Sequence, residues 1–200
     1  MNRFIIEETP QQCAQAHCDK HVPKMYVEEA QMLSTVHRLL DGTEERRPSK
    51  SGKTIQKYWK LPDDREDVLY SAVHVKHPCT VWAMETAGNY QWAYQMFLYL
   101  GIEYNYRYNK YHKTDELDGW LCYPPSNINP SQEVTKMPLA MGANPECINP
   151  DDVMGSYRAF YQTKQERFKM VWTKRDVPSW FSYKSRIHIR GKRNRAAQEK

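Results

Sequence analysis

Large apolar side chains are densest in residues 77–113, HPCTVWAMETAGNYQWAYQMFLYLGIEYNYRYNKYHK. Trp92, Met96, Tyr99, Leu100 and Ile102, with Ala93 and Phe97 between them, predict a helix buried on most sides. Gly88-Asn89 leaves open whether one helix covers this stretch or a short one at 79–86 precedes the long one. From Glu103 the pattern turns polar, with Glu103, Arg107 and Lys110 at i, i+4, i+7 among Tyr104, Tyr106, Tyr108 and Tyr111. The far end of the helix is therefore expected to leave the core as a cationic, tyrosine-rich surface.

Upstream, Arg3–Ile6 reads as a short strand or an extended lead-in. Thr9-Pro10 supplies an N-cap with proline at the first helical position, opening a helix through QQCAQAHCDKH. Pro23 either opens a second helix or kinks a continuous one. Beyond it Met25, Val27, Ala30, Met32, Leu33, Val36, Leu39 and Leu40 recur near helical spacing until Asp41-Gly42. Residues 43–67 are charged and poor in apolar groups, which predicts a surface loop or small excursion. The proline-rich stretch 123–150, with its Asn-Pro steps, predicts an irregular wrap, and Asn149-Pro150-Asp151-Asp152 a last helix running to about Met170. These elements predict a mainly α, compact single domain over 1–183 with long irregular connections, followed by a basic tail at 184–200.

Charge sharpens the view of that tail. The net charge is +5, and residues 184–200 carry +6 of it against −1 for the rest, which points to a polyanionic partner, DNA above all. No apolar run reaches the roughly 18–20 residues of a membrane span, and MNRFIIEETP lacks a signal-peptide design, so no membrane partner and a cytoplasmic setting are expected. Five scattered cysteines without a CxxC pair predict free thiols.

Four groups could carry chemistry. On one continuous helix Cys13, His17 and His21 would align at i, i+4, i+8, a geometry that permits a metal, although HExxH is absent. Glu28-Glu29 point about 100° apart, so one can face inward near the histidines while the other stays in solvent. His77 with Trp82, Asn89, Tyr90 and Trp92 could bind a base by edge and face, or could be plain core. Arg107, Lys110, Lys113, Lys169, Lys174, Arg175 and Arg186, interleaved with Tyr104, Tyr108, Trp172 and Trp180, suit phosphate contacts combined with stacking. There is no Walker loop, GxGxxG or GxSxG, and no cofactor is expected.

MNRFII, CAQAHC, HPCTVWAMETAGNYQWAYQMFLYLGIEY and RFKMVWTKRDVPSWF together resemble the phage pyrimidine-dimer DNA glycosylases of the endonuclease V type. The HCDKH and NYxW stretches also resemble a group of uncharacterised phage proteins. The resemblance implies a compact helical DNA-repair enzyme, in the host cytoplasm if phage-encoded, that excises a damaged base through a Schiff base on its N-terminal amine with help from a glutamate. It places Arg3 as a substrate-binding arginine and His17 or His21 as the early histidine. With His21, Glu28 stands at the catalytic glutamate's spacing; with His17, Lys24 stands there, and Glu28 preserves the chemistry. His77 matches the histidine opening the central helix, and Val177-Pro178-Ser179-Trp180-Phe181 the terminal aromatic segment.

The chain departs from the family at Asn2, which should leave Met1 in place and displace the amine, whose pKa remains near 8. The resulting expectation is a DNA glycosylase with Glu28, His21 and His17 at its catalytic site. DNA contacts are expected at Arg3, Lys24, His77, Arg107, Lys110, Trp180 and Arg186. The alternatives are a non-catalytic phage nucleic-acid-binding protein and a metal-dependent hydrolase or nuclease using Cys13, His17 and His21.

Overall fold

Local capping decides where the first helices start and stop. The computed structural model describes residues 2–49 and 51–184. Helix α1 spans Pro10–Ala16, opened by a reciprocal cap between Thr9 and Gln12. It stops at His17, whose backbone turns extended, and α2 (His21–Asp41) starts afresh. Pro23 falls in the first turn of α2, where a missing N–H leaves no intrahelical bond unmade. The continuous helix that would align Cys13, His17 and His21 therefore does not form. Arg3–Ile6 is extended without strand pairing.

Residues 43–67 are not a loop. Strands β1 (Thr43–Pro48) and β2 (Ile55–Lys60) form an antiparallel hairpin in register from Thr43↔Lys60 to Pro48↔Ile55, and α3 (Arg65–Val68) follows. What holds the excursion is Arg38 on α2, almost fully buried, which donates to the carbonyls of Trp59, Leu69 and Tyr70 and to Glu66 at 2.7 Å. A guanidinium with several convergent acceptors organises backbone that has little apolar surface of its own.

Helix α4 (Pro78–Glu85) ends at Thr86, which also caps α5 (Ala87–Tyr108) through its hydroxyl and the Asn89 N–H. The break thus precedes Gly88. Gly88 has its own reason: its N–H donates to Ser131 O, and a Cβ there would lie 2.4 Å from Gln132 O. The irregular 123–150 segment is clamped to this corner, with Asn89 bonding both Thr135 N and Thr135 Oγ1 at 2.8 Å. Asn109, in the left-handed conformation, ends α5, so Lys110 lies beyond the helix. Short α6 (Asp118–Leu121) follows, and α7 (Val153–Gln162), capped by Asp152, ends well before Met170 in a tight turn at Thr163–Glu166.

The mainly α fold packs α5 against α2, α1 and α4 around Met25, Leu33, Val36, Met96, Phe97 and Leu100. Each such side chain contributes about 1.5–3 kcal/mol on burial. Ile102, expected inside, is 54% exposed, whereas Glu103 and Arg107 beside it are buried.

Into this core runs Arg3, fully buried with Glu29. Its Nε and Nη2 grip the carboxylate at 2.6–3.1 Å, while Nη1 donates to Cys79 O at 3.3 Å. Burial opposes the charge, but the Glu29 carboxylate outweighs it and raises the Arg3 pKa. The pair fastens the lead-in between α2 and α4. Arg3→Met, leaving the buried Glu29 carboxyl without its partner, should lower unfolding free energy by about 3–5 kcal/mol. The double variant Arg3→Met/Glu29→Leu should lose clearly less than Arg3→Met, as read by chemical denaturation.

Candidate functional site

Because α2 turns about 100° per residue, Glu29 goes to the core and its neighbour Glu28 to the rim. The inward carboxylate meets Arg3 rather than a histidine. Glu28 accepts the backbone N–H of Asn2 at 3.2 Å and pairs with Lys24 one turn earlier. Asn2 is itself fixed: its side chain donates to Ala140 O at 3.0 Å and accepts from Arg3 N at 2.8 Å. The Cys79 thiol lies 3.8 Å from Asn2 Oδ1, which brings the start of α4, capped by His77, to the same rim. Glu28, with Lys24 paired to it, and Cys79 at the start of α4 thus flank Asn2.

His17 and His21 lie beneath, not in, this rim. Both are buried among Phe4, Tyr161 and Phe168, and Phe4 stacks on His21 with centroids 5.4 Å apart. His17 Nδ1 donates to Cys13 O at 2.5 Å, which fixes its tautomer and leaves Nε2 without a partner; His21 Nδ1 is likewise unpartnered. Burial lowers the pKa of His17 to about 4 and of His21 to about 2, so both are neutral at pH 7. Neutral imidazoles this deep support the rim by packing. Cys13 Sγ is turned to Glu7 O, and among the described residues no three His, Cys, Asp or Glu side chains gather as a metal site.

The cationic end of α5 takes a different form from the one its spacing implies. Arg107 is buried, bonded to Glu103 at 2.6 Å, to Asp19 at 2.9 Å and to Gln15 O at 2.8 Å. It ties α5 to the α1–α2 corner and offers no charge to a partner. Arg175 closes the same network on Glu103 at 2.8 Å. Lys110 is exposed, and with Lys20, Pro23, Tyr104 and Tyr108 it lines an open cleft of about 460 Å³ beside Asp19. There Tyr104 and Tyr108 lie with centroids 4.8 Å apart, and their rings with the two lysines suit a phosphate backbone and an unstacked base.

Lys20, the residue before α2, starts an i, i+4, i+8 row with Lys24 and Glu28 that joins this cleft to the rim. Beyond the row stands Lys164, half-buried, its Nζ 3.3 Å from the Phe160 ring centroid and 6.0 Å from that of Phe4. Burial, with the Arg167 and Lys24 charges outweighing Cys147, lowers its pKa to about 8. No motif marks Lys164, which sits in the ordinary-looking run TKQERFK.

Of the proposed base-binding cluster, Trp82, Asn89 and Tyr90 are core, with Trp82 Nε1 donating to Thr135 O and Tyr90 to Leu121 O. Trp180 is half-buried, donating to Glu7 Oε1 at 2.6 Å under the Arg158 guanidinium. Arg186 and nearly all of the basic tail lie outside the described residues, as does Met1. No helix among the described residues is long and apolar enough to cross a membrane.

In comparisons with known proteins, no family model, no curated protein and no solved structure matches the chain.

The histidines give this region a pH signature. Their folded pKa values, with His37 also lowered to about 4, lie below the unfolded value of about 6.5, so the unfolded chain binds more protons under pH 6.5. Stability is complete above that pH and falls as pH drops from 6.5 to 4 for His17 and His37, and on to about 2 for His21. Between pH 7 and pH 5 the loss should be about 2 kcal/mol per histidine, seen by denaturant titration. In NMR spectra, the imidazole signals of His17 and His21 should not titrate between pH 8 and pH 5; a midpoint near 6.5 for either would contradict their burial as neutral rings.

Proposed function

We propose that the protein is a DNA-binding enzyme acting on a damaged or modified base, a glycosylase with lyase capability. The observation that carries this reading is the Glu28 carboxylate held against the Asn2 N–H at the rim, in the place where the resemblance to pyrimidine-dimer glycosylases calls for its glutamate. Support comes from the ground around it. Lys20, Lys110 and Lys164 make no ion pair with a described carboxylate, and two of them flank a tyrosine cleft at one end of the row that leads to Glu28.

Base excision develops positive charge on the deoxyribose ring as the bond to the base stretches. A carboxylate beside the sugar stabilises that charge, and after an amine attacks the anomeric carbon it can move protons around the imine. Extrusion of the base costs a few kcal/mol of stacking, which phosphate-binding lysines and stacking tyrosines offset. Lys24, paired with Glu28, holds that carboxylate in place until a phosphate competes for the ammonium. The family's substrate arginine plays a different part in this chain, since Arg3 is fully buried and positions Asn2 instead of reaching for DNA.

A metal-dependent hydrolase at Cys13, His17 and His21 has less support, because the thiol and one imidazole nitrogen are already engaged with backbone carbonyls and the three residues share no helix. A purely binding protein needs the cationic row but no Glu28. The test is borohydride trapping with duplexes that contain either an ultraviolet dimer or no lesion. An adduct with the dimer duplex that Glu28→Gln fails to give is the expected result. Salt-sensitive binding with neither adduct nor base release, in wild type and variant alike, would overturn the enzyme reading in favour of a binding protein.

A further inference from the structure

Two lysines stand over aromatic rings with no hydrogen-bond acceptor among the described residues: exposed Lys20, 5.0 Å from the Phe168 centroid, and half-buried Lys164, which sits much closer to its ring. Lys24 has Glu28, Lys57 has Glu44, Lys136 has Pro150 O, Lys174 has Tyr106 O and Lys184 has Glu166. Lys164 Nζ has no carboxylate and no hydrogen-bond acceptor among the described residues; it stands over the faces of Phe160 and Phe4. Its position follows from α7 ending at Gln162 in a tight turn, which swings residue 164 back over Phe160 one turn earlier. Phe4 connects it to the rim: the ring lies 6.0 Å from Nζ, stacks on His21, and belongs to the lead-in that Arg3 fastens, two residues from Asn2.

We propose that Lys164 Nζ is an imine-forming amine of this site, whose partner is the open-chain aldehyde of an abasic deoxyribose in DNA. The proposal rests on the DNA-base reading and deepens it by naming the amine and the carbonyl. In the step, the neutral amine's lone pair attacks the aldehyde carbon and the N–C bond forms. The amine then gives up both its protons, the carbonyl oxygen departs as water, and a C=N bond remains; no oxidant or reductant takes part. Three features suit the amine to this. Burial disfavours its charged form, the Arg167 and Lys24 cations disfavour it further, and no hydrogen-bond acceptor among the described residues holds the protons of the ammonium.

A lysine that merely packs its charge on Phe160 would be replaced faithfully by arginine, which keeps the cation over the ring but forms no imine under these conditions. The experiment uses the full chain, a duplex with one abasic site, and borohydride, followed by peptide mapping of the reduced adduct. Base release from an ultraviolet-dimer duplex is measured in parallel. The expected result is an adduct on the peptide containing Lys164, reduced at least tenfold in Lys164→Arg, with duplex binding and melting temperature unchanged.

An adduct mapped to Met1 or to another lysine, or an undiminished yield in Lys164→Arg, overturns the assignment. If base is released while Lys164 stays unlabelled, the assignment fails and the glycosylase reading stands. Labelling of Lys164 without release from the dimer duplex keeps the assignment and sinks the dimer as substrate. Neither release nor adduct sinks both.

Discussion

The buried pair of Arg3 and Glu29 sets the geometry of everything around the start of the chain. A guanidinium and a carboxylate removed from water are stable only when each satisfies the other, so their meeting fixes the lead-in to α2 within hydrogen-bond tolerance. From that one constraint the neighbours follow. Asn2 is placed where its N–H meets Glu28, Phe4 is placed on His21, and the start of α4 is drawn in through Cys79. An apolar pair could fill the same volume, but it would not dictate the direction of approach. The site at the rim is therefore a by-product of a charge pair inside.

The same principle recurs at two other places. Arg38 folds the hairpin onto α2, and Arg107 locks the end of α5 to the α1–α2 corner through Asp19 and Glu103. Three arginines that composition alone would assign to the surface are thus the internal ties of a small helical fold. The cations that line the tyrosine cleft are lysines, Lys20 and Lys110, on flexible stems.

What the sequence made legible is what local physics controls. Thr9-Pro10, Asp41-Gly42 and Asp152 mark helix ends because capping is settled within a few residues, and the α2 and α5 cores were visible as helical spacing. The hairpin was hidden because TEERRP has no apolar alternation; it pairs on account of Arg38, which belongs to a different element. Arg107 was misread for a similar reason: its i, i+4 relation to Glu103 was plain, but Asp19, which helps to bury it, comes from far along the chain. Glu28 could be singled out through the family resemblance, whereas its contact with Asn2 depends on Arg3 being inside, and nothing in MNRFII says so. Lys164 gave no signal at all, since its character comes from the rings beneath it.

Whether Glu28 serves chemistry or adhesion is decided by separating binding from release. The most direct measurement sets equilibrium binding beside single-turnover base release, on one dimer-containing duplex at one salt concentration, for wild type and Glu28→Gln. A chemical role predicts binding within about twofold, because the lysine row is untouched, and release slowed by at least about 100-fold, the usual loss when a positioned acid or base is removed. Release at the wild-type rate in the variant, or binding and release falling together in proportion, would contradict it.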